Sequence, residues 1–226
     1  MSLNAKNVAS SGGSQQDPIE PGTYQARLVQ VIDLGVQDQR PYKGEEKPPI
    51  HTIRTVYELL DEYCLDENDE EDETKPRWVN EELAFHNLSC DRAKSTKRYL
   101  ALDPQQEAEG DWTKLGSFPC MITVVNNESK GKTYTNIASS ATMRTKDAKK
   151  AKELVNDVSI FSLDDPDMEV FAKQPDWLQD KIKENHDYEG SILEERINGK
   201  SEAKDTTAES DEAEEEESEG ENQGWS

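Results

Sequence analysis

Positively charged and aromatic side chains lie close together in sequence at five places in this chain. These places are Arg40 with Tyr42 and Lys43, Arg54 with Tyr57, Arg77 with Trp78, Lys97 and Arg98 with Tyr99, and Lys132 with Tyr134. A single strand of nucleic acid offers phosphates to cations and unpaired bases to aromatic rings, whatever its base sequence. The pattern favours binding of single-stranded nucleic acid, and each ring taken alone is also compatible with packing in a core.

One basic cluster places four bases within seven residues, Arg92, Lys94, Lys97 and Arg98, opposed only by Asp91. It is the best candidate for contacts with phosphates, although a solvated helix face has the same composition. The full set of candidate nucleic-acid-binding residues is Arg40, Tyr42, Lys43, Arg54, Trp78, Arg92, Lys94, Lys97, Arg98, Lys130, Lys132 and Tyr134.

The formal net charge of −23 is distributed very unevenly along the chain. Residues 61–73 hold nine carboxylates and no base, whereas residues 75–154 hold fourteen bases against ten acids. A protein that is acidic as a whole therefore keeps a basic region that can attract phosphates.

The last 26 residues carry eleven carboxylates and one lysine, and a lone tryptophan stands one residue from the end. Such a segment cannot bury enough apolar surface to fold, so residues 201–226 are predicted to be a disordered acidic tail. We expect the tail to compete with DNA for the basic groove and to bind partner proteins, unless it only increases solubility. The candidate partner-binding residues are Glu214, Glu215, Glu216, Glu217 and Trp225.

The motifs of common enzyme and metal sites are missing from the sequence. It has no glycine-rich phosphate loop, no HExxH and no GxSxG motif, and the three histidines fall in different predicted elements. The acidic run over 61–73 lacks the glycine and the ligand spacing of an EF-hand loop. We therefore expect no catalytic activity, no cofactor and no bound metal.

Hydrophobic periodicity predicts a mainly β protein. Alternating and β-branched residues predict strands over 23–33, 50–60 and 77–88, and a hairpin formed by 118–125 and 132–140. A helix over about 90–102 is predicted with Ser89 as its N-cap, and a short basic helix over 146–154 follows the hairpin. Residues 61–73 are predicted to be an exposed loop, because like charges would face each other in a sheet.

Three strands, a helix and two further strands match a five-stranded OB-fold barrel with an inserted helix. The predicted divisions are a disordered arm over 1–17, the core over 18–155, a helical appendage over 156–200, and the tail over 201–226. The appendage is expected to contain a helix that begins at a Ser191–Glu194 capping box. It is expected to pack on the barrel through Met168, Phe171, Trp177, Leu178 and Ile182.

The three cysteines and the hydropathy of the chain bear on its location. The cysteines are odd in number and far apart, which predicts reduced thiols rather than disulfides. No segment reads as a signal peptide or as a membrane span. These features predict a cytoplasmic protein.

Several short blocks of the sequence resemble one family. They are EPGTY at 20–24, RPY at 40–42, KPRW at 75–78, AKSTKRY at 93–99 and DMEVF at 167–171. These blocks resemble the single-stranded DNA-binding proteins of tailed bacteriophages, which have an OB-fold core and an acidic C-terminal tail.

The resemblance implies a protein that coats single-stranded DNA during phage replication and recombination in the cytoplasm of an infected bacterium. It also implies a tail that recruits replication proteins such as polymerase or helicase-primase. The tail of that family commonly ends in an aromatic residue, whereas here Ser226 follows Trp225.

Two other kinds of protein remain open. An acidic DNA mimic, inhibitor or adaptor would use its carboxylates to bind a host DNA-binding protein, and a small phage enzyme or accessory factor would have an unfamiliar site. The separate basic region argues against a mimic, which gains nothing from cations. Titration with oligo(dT) distinguishes a DNA-binding protein from a mimic.

Overall fold

The computed structural model describes residues 17–199, and their main element is a six-stranded sheet. Five strands are antiparallel in the order β3-β2-β1-β4-β5, and β6 pairs with β1 in parallel. The strands are β1 (Gly22–Gln37), β2 (Ile50–Leu65), β3 (Glu71–Ala84), β4 (Pro119–Ser129), β5 (Lys132–Thr142) and β6 (Ser159–Phe161). The prediction of a mainly β protein is confirmed, while most of the predicted N-terminal arm and the whole acidic tail lie outside the described residues.

Short helices connect and follow the strands. They are α1 (Lys94–Leu102), α2 (Thr145–Ala148), α3 (Met168–Lys173), α4 (Asp176–Lys183) and α5 (192–199). None of the helices in the described part of the chain is long and apolar enough to cross a membrane.

The predicted starts and ends of three helices can be compared with the structure. The predicted start of α1 at residue 90 was wrong. Ser89, the predicted N-cap, lies in a turn before the helix, where its N–H donates to the side chain of Asn87. The helix begins only after Ala93, without a side-chain cap. Helix α2 ends at Ala148, six residues earlier than predicted. The predicted capping box of α5 is confirmed in one half, because the Ser191 hydroxyl accepts the N–H of Glu194 at 3.2 Å. The Glu194 carboxylate accepts the N–H of Gly190 at 2.7 Å rather than that of Ser191.

The acidic segment over 61–73 is a β-hairpin, which corrects its prediction as an unpaired loop. Strand β2 continues to Leu65 and β3 begins at Glu71, so that Leu65 faces Glu71 and Cys64 faces Asp72. In these two pairs an apolar residue or a thiol, not a second carboxylate, stands opposite the acid. A hydrogen bond from Lys75 is the main reason why the pKa of Asp72 falls to about 2.

Two hydrophobic cores lie on the two sides of β1. The larger core contains residues from all five main strands together with Tyr99 of α1 and Trp112. The smaller core joins Ile32 and Leu34 of β1 to the C-terminal segment through Phe161, Phe171, Leu178, Ile182 and Leu193. The C-terminal segment thus packs on the sheet and also contributes β6 to it.

The predicted packing residues of this segment fall into two groups. Phe171, Leu178 and Ile182 are buried and Met168 is partly buried, as predicted. Trp177 was predicted to pack in the same way, but 52% of its surface is exposed. An exposed tryptophan beside a cation is a candidate binding residue.

Candidate nucleic-acid interface

The β4–β5 hairpin presents two lysines at its tip. Lys130 and Gly131 form its two-residue turn and both have positive φ, of 52° and 72°. A type I′ turn needs this conformation at both positions, and glycine adopts it without strain. Lys130 and Lys132 are exposed there, and Tyr134 is exposed two residues further along β5.

A cavity of about 610 Å³ lies between this hairpin and β3. Arg77 and Trp78 line it from β3, and Lys132 lines it from the hairpin. The Trp78 ring is 45% exposed, and the Arg77 guanidinium donates to the backbone carbonyl of Asp17. The structure therefore brings an accessible aromatic ring and two cations around one open cavity.

Glu58, the cross-strand neighbour of Trp78 on β2, forms a hydrogen bond with the Trp78 indole. Glu58 is only 1% exposed, and its carboxylate accepts the indole N–H at 3.2 Å. The same carboxylate accepts the N–H of Val155 at 2.7 Å and the side-chain amide of Asn156 at 2.6 Å. A buried carboxylate with a full set of donors fixes its neighbours, so Glu58 orients the ring. Sequence analysis missed this residue, because an acid in a strand gives no sign of burial.

The loop between β1 and β2 carries a second exposed ring. Tyr42 and Glu45 exchange backbone hydrogen bonds of 2.9 and 3.1 Å around a two-residue turn. The ammonium groups of Lys43 and Lys47 lie 5.4 and 4.9 Å from the centre of the Tyr42 ring. Arg40 is also exposed in this loop. Lys47 was not predicted, although its position five residues after Tyr42 could have suggested it.

Arg54 lies on the outer face of β2, which is the face turned away from the larger core, and it is less exposed than the cations of the two loops. It is half-buried, and among residues 17–199 no acceptor forms a hydrogen bond with its guanidinium. Its guanidinium lies 5.1 Å from the centre of the Trp177 ring of α4. Loss of hydration on burial is the main reason why the pKa of Arg54 is lowered. A carboxylate or phosphate is the natural partner of such a group.

The basic cluster of α1 is divided between solvent and the interior. Arg92, Lys94 and Lys97 are exposed, and the two lysines line a cavity of about 520 Å³ beside β5. Arg98, by contrast, is 3% exposed and donates to Glu81 of β3. It also donates to the Ser140 hydroxyl and the Ile137 carbonyl of β5, both at 3.3 Å.

Arg98 was predicted to contact a phosphate, and it lines the same cavity as Lys94 and Lys97, but its side chain is buried and hydrogen-bonded inside the protein. Its guanidinium joins β3 to β5, which are not adjacent in the strand order. Four of its five N–H donors are taken up by Glu81, Ser140 and the Ile137 carbonyl, which leaves Arg98 little to offer a ligand in that cavity.

The remaining candidates do not line one cleft. The cavity at Trp78 and the cavity at Lys94 and Lys97 share no lining residue. Trp78 and Arg54 do share a face of the sheet, because Trp78 pairs with Glu58, which lies four residues from Arg54 on β2. At the rise of a β-strand these two positions are about 13 Å apart. The outer face of β2 and β3 therefore carries both an exposed ring and an arginine without an acceptor in the described chain.

No model of a known protein family matches this chain, and no curated protein is similar to it. Within residues 17–199 there is no group of three His, Cys, Asp or Glu residues that could hold a metal ion.

Proposed function

We propose that this protein binds single-stranded DNA on the outer face of β2 and β3. The observation that carries the proposal is the open cavity where the exposed ring of Trp78 stands beside Arg77 and Lys132. Cations of this kind neutralise phosphates, and base stacking on an aromatic ring contributes about 1–3 kcal/mol per base. The Glu58 hydrogen bond supports the proposal, because a ring held in place loses little entropy when a base stacks on it.

We infer that the sheet and α1 belong to the OB-fold class, a partly open five-stranded barrel. The strand order β3-β2-β1-β4-β5 and the position of α1 between β3 and β4 in the chain support this. Proteins of this class bind oligonucleotides on strands 2 and 3 and on the loops β1–β2 and β4–β5. In this chain the first loop carries Tyr42 with Lys43, and the second carries Lys130, next to Lys132 at the start of β5.

The biological setting of this activity is proposed from the sequence blocks at 20–24, 40–42, 75–78, 93–99 and 167–171. The protein coats single strands in phage replication and recombination, in the cytoplasm of the bacterial host. The acidic tail competes with DNA and recruits replication proteins such as polymerase or helicase-primase. The binding of DNA by this protein requires no cofactor, metal or catalytic step.

Titration of the full chain with labelled oligo(dT), at several salt concentrations, tests the activity. We expect binding that weakens with salt, with a slope in log–log form of about −0.7 per phosphate contact for a single strand. Duplex DNA of the same length should bind more weakly, because its bases are not free to stack. Trp78→Ala and Lys132→Ala should each weaken binding.

The matched control for Lys132→Ala is Lys114→Ala, an exposed lysine outside the candidate interface. Equal effects of the two lysine variants would show that general charge, not this surface, attracts DNA. If the full chain does not bind oligo(dT) but does bind a basic DNA-binding protein, the result would instead support the alternative that this protein is a DNA mimic.

The role of the tail needs a separate test. A chain truncated after Lys200 should bind oligo(dT) more tightly than the full chain, most clearly at low salt where attraction is least screened. Equal affinities of the two chains would show that the tail does not compete with DNA. The proposed binding of DNA on the outer face of β2 and β3 would still stand.

A further inference from the structure

Helix α4 holds Trp177 over the outer face of the sheet. Leu178 and Ile182 of this helix are buried against Ile32 of β1 in the smaller core. Ile32 is the cross-strand neighbour of Arg54, and Arg54 is in turn the neighbour of Glu82 on β3. The packing of α4 on β1 therefore brings Trp177, the residue just before Leu178, above the neighbouring strand.

The Trp177 ring is not a core residue in this position. It is 52% exposed, whereas its neighbour Leu178 is 1% exposed. The Arg54 guanidinium lies close to the ring, which leaves much of the indole open to solvent. Contact with a cation favours a defined position for the ring, so it is prepared for stacking.

Arg54 itself lacks an acceptor in the described part of the chain. Its cross-strand neighbour Glu82 acts to raise the pKa of Arg54, against the larger lowering by burial, but the Glu82 carboxylate is bound by Lys181 of α4 at 2.6 Å. Burial has removed part of the hydration of the guanidinium without supplying a hydrogen bond. A planar fork of donors in this state matches the oxygens of a phosphate.

We propose that Arg54 and Trp177 form a nucleotide subsite, in which the guanidinium binds a phosphate and the indole stacks on the adjacent base. This inference rests on the proposed binding of single-stranded DNA. It adds a second stacking ring about 13 Å along the sheet from Trp78, judged by the rise of β2. It also makes α4 a part of the interface, rather than only a support for the sheet.

The test compares Trp177→Ala, Trp78→Ala and the unaltered full chain by titration with oligo(dT) of increasing length. Trp177→Ala should weaken binding by about 5- to 100-fold, the usual range for loss of one stacked base. It should also shorten the occupied site by about one nucleotide, which a merely structural role would not do. Trp177→Leu is the second variant, because it keeps an apolar side chain over Arg54 but cannot stack.

Fluorescence gives an independent readout of the same contact. In a Trp78→Phe background, oligo(dT) should still quench tryptophan emission, and the further change Trp177→Phe should remove most of that quenching. Arg54→Lys should weaken binding less than Arg54→Ala, because it keeps the charge but loses the fork.

The possible results separate this inference from the proposed function. If Trp78→Ala weakens binding while Trp177→Ala and Trp177→Leu bind like the unaltered chain, the subsite is wrong and the proposed function stands. If the unaltered chain does not bind oligo(dT), both are wrong. Weaker binding by both Trp177 variants, together with a shorter occupied site and the loss of quenching, supports the subsite.

Discussion

Arg98 and Arg54 show two uses of an arginine in one small sheet. Arg98 lies between β3 and β5, where Glu81, Ser140 and the Ile137 carbonyl accept its hydrogen bonds. Arg54 lies on the outer face of β2, where no acceptor among residues 17–199 binds it and an exposed ring lies alongside. An arginine whose donors are satisfied holds the fold together, whereas one left without acceptors is available to a ligand.

The two arginines look alike in the sequence, since a tyrosine follows each of them within three residues. Both tyrosines, Tyr57 and Tyr99, are fully buried in the larger core. One signal in α1 does separate the arginines. Arg98 lies three residues after Ser95 and four before Leu102, on the helix face that is buried. A pairing of bases with rings is therefore not enough to identify a binding surface.

The largest effect that this comparison predicts is on stability, at Arg98. Arg98→Met removes the partner of Glu81, whose side chain is 12% exposed, and leaves a carboxylate without its cation. Loss of one partner of a buried pair destabilises a protein by about 3–5 kcal/mol. Denaturant unfolding measures the change in the free energy of unfolding.

The control is Arg92→Met, from the same basic cluster but exposed to solvent. A surface substitution of this kind changes stability by about 0.5 kcal/mol or less. If Arg98→Met were as stable as Arg92→Met, the role of Arg98 in joining β3 to β5 would have to be abandoned.

A smaller loss of stability is expected at Glu58. In Glu58→Gln one of the two oxygens becomes an NH2 group, so either the Val155 N–H on Oε1 or the donors of Asn156 and Trp78 on Oε2 lose their acceptor. The cost is about 1–3 kcal/mol, measured by unfolding.

The matched control is Glu82→Gln on the same face, whose partly exposed pair with Lys181 contributes about 0–1 kcal/mol. Equal losses in Glu58→Gln and Glu82→Gln would mean that the burial of Glu58 adds nothing to its hydrogen bonds.

The exposed lysines of α1 test whether the interface extends beyond the outer face. Their cavity is separate from the cavity at Trp78, so a short oligo(dT) on the outer face should not reach them. Lys94→Ala/Lys97→Ala should leave the salt dependence of a short oligonucleotide unchanged. With a long one, the slope should become shallower by about 0.7 for each phosphate that the variant no longer neutralises.

Two outcomes would change this picture of α1. A weaker salt dependence with the short oligonucleotide would place Lys94 and Lys97 in the same track as Trp78. An unchanged salt dependence with either length would show that they form only a solvated helix face.

The sequence predicted the β class and the number of main strands, because alternation of apolar residues is a local property. It did not predict the hairpin of residues 61–73, because pairing depends on register. Leu65 and Cys64 stand opposite the acids, and this cannot be read from a run of charges. Trp177 and Lys47 were missed for a similar reason, since their contacts with Arg54 and Tyr42 exist only after folding.

The smallest predicted effect on stability concerns His51. Like Arg98, it has a carboxylate partner, but its side chain is more exposed to solvent. Its ring nitrogen is 2.6 Å from the Asp33 carboxylate, and its side chain is 41% exposed. This hydrogen bond is the main cause that raises the pKa of His51, against the opposite effect of burial. Because solvent screens the pair, its contribution to stability is about 1 kcal/mol or less.

The sign of the pH dependence follows from the raised pKa. The stabilisation is complete below the pKa of His51 in the unfolded chain and is lost as pH rises through the higher pKa of the folded protein. The difference in unfolding free energy between the unaltered chain and His51→Gln should therefore shrink between about pH 5.5 and pH 8.5, on either side of the ordinary histidine pKa. His86→Gln is the control, since the His86 ring has no ion pair among the described residues. A difference for His51→Gln that stayed constant or grew with pH would mean that the Asp33 contact does not favour the charged ring. In that case a nearby carboxylate would not be enough for a half-exposed cation to stabilise the fold. Burial would then be the property that separates Arg98 from the other bases.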